Sequence, residues 1–552
     1  MSGDWVTKIC DRVEQHVNHT KSENAQVICV SGISPSGPIH LGNLREIMTV
    51  HFVVEALRAR GRAAEHIHIW DDYDRLRKVP VGVDPAFAAY IGQPLSDIPD
   101  PFGEYASYGA RYIEQCSSSL GAIQVFPRYI RQSVAYREGR YTEQIKQAMA
   151  RRREIFDILA AHQTALQETP AERAARRAAY YPFRIYCEQC HRDTTSIHTY
   201  EQTNASLTYS CQTCHYHGGF SLHEKVEGKL VWKIDWPMRW SVLQADFEPA
   251  GEDHSAPTSS FSVGKRIVRD VYGATAPQYV GYAFVGMDGR TKISSSAGTG
   301  ATIGAGLEIV EPAILRWIYA RRANNQAIML DFGQGLLRLY DEWDALVRQV
   351  RSGKASPANV QAYERATHTT RGEVPYTPRP APFSLLASVG DVTQGNVEQI
   401  TRIVAQLSDQ PASTSGVVDL EPRLTCALNW VRNYLPEDER TTIRDAFSTD
   451  VYTQLSETQH RELSLLVERL DSCWNLNALT ELVYTVPKLA LGLPVDASPD
   501  EALKQAQRAF FVAIYRLICG QETGPRIPTL LLSLGLARVK ALLSPDGQLA
   551  PV

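Results

Sequence analysis

The chain has 552 residues, too many for one hydrophobic core, so two to four domains are expected. Its 57 Lys+Arg against 61 Asp+Glu give a formal net charge of −4, which excludes a globally basic field; a polyanionic partner has to be met by local basic patches. With 44% hydrophobic and 21% charged residues the composition is that of a globular protein, and no apolar run approaches the roughly 18 residues of a membrane span.

The N-terminal run MSGDWVTKICDRVEQHV is amphipathic, lacks a secretory apolar core, and predicts a helix over 5–19. AQVICVSGI (25–33) predicts a buried strand, and LREIMTVHFVVEALRARG (44–61) a helix ending on Gly61. AAEHIHIWDD (63–72) alternates and predicts a second strand. Strand, Gly-rich turn, helix and strand make a βαβ unit, so the expected fold class is α/β with a Rossmann-like, doubly wound parallel sheet. Residues 80–110, rich in Pro, Gly and Tyr, are expected to be irregular. EQIKQAMARRREIFDILAAHQTALQ (143–167) predicts one helix, interrupted by Arg151–Arg153 on its surface, and short strands and turns are expected over 219–291. From 308 onward the pattern is helical, with one Pro-rich break at 371–382 that marks a domain boundary.

Between the first strand and helix lies SGISPSGPIHLGNLRE (31–46). A strand entering a Gly/Pro turn and then a helix leaves backbone N–H groups pointing outward, which is a phosphate site. Gly37 lets a ligand approach the backbone, Gly42 lets the helix start beneath it, and His40 and Asn43 add side-chain donors. The second cluster is Cys187-x₂-Cys190 and Cys211-x₂-Cys214, separated by 20 residues. Four thiolates at this spacing suit a closed, tetrahedral, structural zinc ribbon, expected over 183–220; His191, His215 and His217 crowd it, and one of them could replace a Cys. The remaining cysteines (10, 29, 116, 426, 473 and 519) are scattered in apolar surroundings, which is the usage of a reducing cytoplasm rather than of a disulfide framework.

His40-Leu41-Gly42-Asn43 resembles the HIGH signature of class I aminoacyl-tRNA synthetases, and TKISSSAG (291–298) resembles their KMSKS loop, with Lys292 in the first Lys position and Ser295 in the second. WDDYDRLRKVP (70–80), DWPMRW (235–240), DFEPAGEDH (246–254), RLYDEWD (338–344) and GPRIPTLLLSLG (524–535) make the chain similar, nearly end to end, to class I lysyl-tRNA synthetases. The Asn in the first signature and the Ser pair in the second are usual there; Ala297 departs from the pattern and removes a cation from the loop.

The resemblance implies a catalytic domain over 1–305 containing the zinc insertion, a connecting region over 306–380, and an all-α anticodon-binding domain over 381–552. It implies ATP, Mg²⁺ and structural Zn²⁺ as cofactors and L-lysine and tRNA(Lys) as partners; the residues themselves lead to the expectation of no membrane, a cytoplasmic location and, with no long coiled coil or exposed dimer helix suggested, a monomer. His40, Asn43 and Lys292 are the expected catalytic residues. ATP is expected on Pro35, Gly37, His40, Gly42, Asn43, Asp253, His254, Lys292, Ser294 and Ser295. Lysine is expected on Gly32, Ser34, Asp71, Asp72, Trp236 and Tyr282, because its two ammonium groups need acids and its methylenes need aromatic walls. Two readings of the acids stay open: Asp71, Asp72 and Asp74 could hold substrate, or could cap and pair with Arg75, Arg77 and Lys78. The Arg-rich stretch 137–153 could track the tRNA acceptor end or be a solvated face.

Overall fold

The computed structural model describes all residues except 1–3, 23, 163–167, 256–258, 288–289, 293–300, 378–380, 408–418, 499 and 546–552; for 290–292 and 406–407 only the backbone is described. The chain divides into two compact units. The first comprises Met1–Leu307, Pro312–Asp331 and Gln349–Val374, and the second Glu308–Glu311, Phe332–Arg348 and Pro375–Val552. The stretch 306–380 is thus shared between them. The chain's last passage between units falls after Val374, inside the Pro-rich run. Among the described residues no helix is long and apolar enough to cross a membrane.

In the first unit the helix Trp5–Thr20 precedes strand β1 (Val27–Ile33). The helix Leu41–Ala59 follows; packed on most sides, it buries residues from Leu41 to Leu57, Arg45, Thr49 and His51 among them, and stops where Gly61 takes a left-handed conformation (φ 81°). Strands β2 (Ala64–Trp70) and β3 (Arg128–Arg131) come next. An insertion then supplies β4 (Phe183–Ile185), β5 (Thr195–Glu201), β6 (Ser206–Cys211), β7 (His217–Ser221) and β8 (Gly228–Leu230). The chain returns through β9 (Phe247–Gly251) and β10 (Gln278–Tyr282). The main sheet has the order β10-β9-β1-β2-β3 and is parallel throughout, with Val27 opposite Ala64 and Ile33 opposite Trp70. Strand order reverses beside β1, so the crevice at the carboxyl ends of β1 and β9 is where such a sheet binds ligands. A small second sheet, β12-β11-β13, comprises β11 (Val285–Met287), β12 (Arg290–Lys292) and β13 (Ile328–Leu330).

Two sequence expectations are corrected here. The helix expected over 143–167 is two, Thr142–Ala150 and Arg152–Ala161, in the residues described. They break at Arg151, whose guanidinium instead caps the carbonyls of Asp270 and Val271, a long-range pairing that a local pattern cannot reveal. Residues 219–291 contain two full helices, Trp232–Leu243 and Ser260–Asp270. Pro237 disguises the first, but its Trp residues at 232, 236 and 240 recur at i, i+4 and share a face.

The second unit is helical, and one ion triad organises part of its core. Arg423 donates from Nε to Glu311 Oε1 at 2.7 Å and from both terminal nitrogens to Asp344 at 2.8 Å, with the Tyr340 ring 4.8 Å from its guanidinium carbon. Arg423→Ala leaves two buried carboxylates without a cation, so a loss of about 3–5 kcal/mol is expected. Urea unfolding of the full-length chain, followed by Trp fluorescence, should show this unit melting earlier in the variant.

Candidate active site

The turn that ends β1 runs into His40, which caps the following helix. The Asn43 N–H donates to His40 Nδ1 at 3.3 Å, and the His40 N–H donates to Asn43 Oδ1 at 3.2 Å, a reciprocal capping box. Because Nδ1 accepts, the neutral imidazole carries its proton on Nε2, and because Oδ1 accepts, the Asn43 amide presents its NH₂ on the other side. Both groups thereby become donors at a helix N-terminus. The backbone on the far side of the second signature meets them: Thr302 bridges to His40, and the Leu41 N–H donates to Ala301 O at 3.1 Å. Tyr108 Oη donates to Ser36 O at 3.0 Å and steadies the turn.

A cavity of about 490 Å³ opens beside this turn. Of the site residues named from the sequence, Gly32, Ser34, His40, Gly42, Asn43, Trp236, Asp253, His254 and Tyr282 line it. Pro35 and Gly37 lie in the turn but do not line the cavity. The backbone of Lys292 ends β12, whereas Ser294 and Ser295 lie outside the described residues.

Asp71 and Asp72 do not line the cavity. Asp71 is buried and accepts from Lys229 Nζ at 2.9 Å and from both terminal nitrogens of Arg239, and these cations hold it down to about 2 against the cost of burial. Asp72 accepts from the Ser133 N–H at 2.8 Å, Ser133 Oγ at 2.6 Å and Arg131 Nε at 2.8 Å. Their oxygens already have partners inside the protein. Of the Arg-rich stretch, Arg137 pairs with Asp97 and Arg151 with Glu154.

The acids that do line the cavity are Glu46, Glu248, Glu252 and Asp253. Glu46 accepts from the Gly32 N–H at 2.8 Å and Tyr282 Oη at 2.7 Å, and among the described residues no Lys or Arg pairs with it. Burial pushes its carboxyl up to about 8, and the two hydrogen bonds only partly offset this. Glu248 accepts from Trp240 Nε1 at 2.6 Å, and burial raises it to about 7. Trp232 stacks on Trp236 with ring centres 5.2 Å apart, and both line the cavity with Phe284. Glu46, Glu248 and Trp232 were missed from the sequence. The available signal was an acid one turn into the helix, directly after the signature.

The four cysteines converge. All four sulfurs lie within 4.8 Å of one another, with Cys187–Cys214 and Cys190–Cys211 at 3.6 Å. A tetrahedral zinc with sulfurs at about 2.3 Å has an edge of roughly 3.8 Å, so this donor set fits Zn²⁺. Each C-x₂-C forms the same knuckle. His191 N donates to Cys187 O at 2.8 Å and His215 N to Cys211 O at 3.0 Å, both His residues sitting at positive φ (61° and 60°). His191 and His215 therefore shape the turns, and among the described residues the cluster that could hold a metal consists of the cysteines alone. Arg75 donates to both oxygens of Asp193 at 2.9–3.0 Å, tying the first knuckle to the segment that follows Asp71. Cys211→Ser should cut zinc content well below one per chain and lower the melting temperature, because structural zinc contributes folding free energy. Metal analysis of purified protein alongside thermal unfolding checks both.

A parallel sheet with an anion-ready helix N-terminus at its switch point defines a nucleotide-binding α/β protein. Residues 3–373 match the family model described as tRNA synthetases class I (K). Over 98% of each chain the sequence is 41% identical to the lysine–tRNA ligase of Streptomyces coelicolor. It is 31% identical to that of Pyrococcus horikoshii, over 98% of this chain and 99% of the other, and 31% identical to that of Pyrococcus furiosus, over 95% and 97%. The chain belongs to the class I (K) tRNA synthetase family.

Proposed function

We propose that this protein activates lysine with ATP to lysyl-adenylate and transfers it to the 3′ end of tRNA(Lys). The observation that carries the reading is Glu46: a carboxyl group on a cavity wall, bonded to a backbone amide and a phenol but, among the described residues, to no cation, beside a helix N-terminus that suits phosphate. Lysine's ammonium supplies the missing cation, and Trp232, Trp236 and Tyr282 enclose its methylenes. The lysine carboxylate is the nucleophile toward the α-phosphate, so the protein has to position and to stabilise charge rather than form a covalent intermediate. His40 Nε2 and the Asn43 amide donate to phosphate oxygens; Asp253 and His254 flank the nucleotide end. Lys292 neutralises the departing pyrophosphate, and Mg²⁺ enters with ATP.

Asp71 serves one step back, fixing Arg239 in the wall. The four thiolates would hold Zn²⁺ in a purely structural role. The helical unit takes the anticodon, by stacking and edge hydrogen bonds to unpaired bases. All ten cysteines are unpaired in disulfides, which suits the cytoplasm. The test is exchange of labelled pyrophosphate into ATP across the twenty amino acids, followed by transfer to tRNA. Exchange with lysine alone and esterification of tRNA(Lys) are expected. Exchange with a different amino acid would sink the substrate assignment, and exchange without transfer would sink the tRNA.

A further inference from the structure

Arg45 follows the first signature and takes no part in the site described so far. It is 2% exposed, yet it has no carboxylate partner among its described bonds. One terminal nitrogen, Nη2, donates to three backbone carbonyls of a single turn: Ala323 O at 2.7 Å, Asn324 O at 3.2 Å and Gln326 O at 3.2 Å. Burying a cation on neutral acceptors is costly, and burial lowers its pKa to about 10. Such a cost is retained where the geometry it enforces is needed.

That turn is a junction. Asn324 Nδ2 donates to Gly281 O at 2.9 Å, and the Ala283 N–H donates to Asn324 O at 2.8 Å, which locks the turn to the end of β10. Two residues beyond Gln326, β13 begins with the Ile328 N–H donating to Phe284 O at 3.2 Å. β13 pairs with β11 over Val285–Ile328 to Met287–Leu330, and β11 pairs with β12, where Gly286 faces Lys292. A continuous path of hydrogen bonds therefore leads from the helix that His40 caps, through Arg45 and the 323–326 turn, to the strand that carries Lys292.

We propose that Arg45 is a positioning residue for activation: it sets the β11–β13 sheet, and with it the Lys292 backbone, at a fixed place relative to the His40 helix. The inference rests on the functional reading above, because it presumes that Lys292 acts on the leaving group. A lysine at position 45 keeps the charge, but its ammonium ends one bond short of the place Arg45 Nη2 occupies, so it cannot hold all three carbonyls at these distances. Misplacing a reacting group by about 1 Å costs roughly 100-fold in rate. Arg45→Lys is therefore expected to slow single-turnover adenylate formation by about 10- to 100-fold. Lysine affinity without ATP, and transfer from preformed lysyl-adenylate to tRNA, should stay within about threefold, since neither needs a group on the leaving phosphates.

Asn324→Ala loosens the same turn from its other side and should show the same selective defect more weakly. The double variant should fall short of the product of the single effects, because both act through one element. Asn324→Ala keeps the idea testable if Arg45→Lys lowers the melting temperature sharply. Unchanged activation in both variants overturns the proposal. So does a parallel loss of lysine affinity, which marks a general defect of fold. A rise confined to the KM for ATP also overturns it, since Arg45 would then touch the nucleotide directly. If the unsubstituted protein shows no lysine-dependent exchange, it is the functional reading that fails; if it exchanges normally and the variants do too, only the role of Arg45 fails.

Discussion

Replacing Lys292 with alanine is expected to slow adenylate formation by roughly 10²–10³, which corresponds to losing one preorganised donor to a developing anion. Of the two lysines in the general class I signature, only Lys292 is present, and Ala297 removes the cation that could stand in downstream. In the proposed reaction, charge on the leaving pyrophosphate would therefore fall mainly on Lys292, the serine hydroxyls and the Mg²⁺ that accompanies ATP. The position of the strand agrees with this role: β12 ends at Lys292, and Ala301 and Thr302, just past the signature, pair with Leu41 and His40. Lysine binding without ATP should be nearly unchanged, and transfer from preformed adenylate should suffer much less than activation. Rapid-quench measurement of each half-reaction decides it. Equal slowing of both would assign Lys292 to the fold of the site instead.

The parts of this site that could be read from the sequence are those whose geometry is local. His40 and Asn43 are three residues apart, so a strand, a Gly/Pro turn and a helix start suffice to place them. Each C-x₂-C knuckle closes within six residues, from Cys187 to Arg192 and from Cys211 to Tyr216, and the pattern alone implied the cluster. Asp71 and Asp72 show the opposite case. Beside a strand end they look like substrate acids, yet what occupies Asp71 lies at Lys229 and Arg239, and what occupies Asp72 lies at Arg131 and Ser133. Those pairings span 59 to 168 positions of sequence and depend on the sheet order. Strand β8, which closes the cysteine insertion, carries Lys229 back to Asp71, so an internal ammonium occupies the acid that had been expected to take the substrate's. The helix Trp232–Leu243 was masked by Pro237, while its buried charges Asp235 and Arg239 make sense only beside Asp71.

Glu46→Gln is expected to weaken lysine binding by about 10²–10³ near neutral pH, since truncating one partner of a buried charge pair costs about 2–5 kcal/mol. The substitution keeps the shape and one acceptor for the Gly32 amide, so the fold should survive it. The pH dependence makes the assignment specific. In the empty cavity burial holds the Glu46 carboxyl at about 8, far above its ordinary value of 4.5, so at neutral pH much of it carries a proton. A lysine ammonium favours the ionised form, and binding must therefore expel that proton. Affinity for lysine should be constant above about pH 8 and fall by up to tenfold per unit as pH drops below it. The same shift acts on folding. The raised pKa means that the carboxyl's contribution is most favourable below about 4.5, where folded and unfolded chains are both protonated, and declines as pH rises toward about 8. Glu46→Gln should thus gain stability relative to wild type at pH 8 while losing lysine affinity, opposite signs that a general packing defect would not produce. Because Gln resembles the protonated acid, the affinities of variant and wild type should converge as the pH is lowered. Glu248, held at about 7 in the same wall, leaves the variant a weaker dependence of its own at lower pH. Calorimetric titration with lysine from about pH 5.5 to about 8.5, below the range in which the ε-ammonium itself titrates near 10.4, checks the slope. A lysine affinity that is flat with pH in wild type, or equal in the two proteins at pH 8, would remove Glu46 from the lysine subsite.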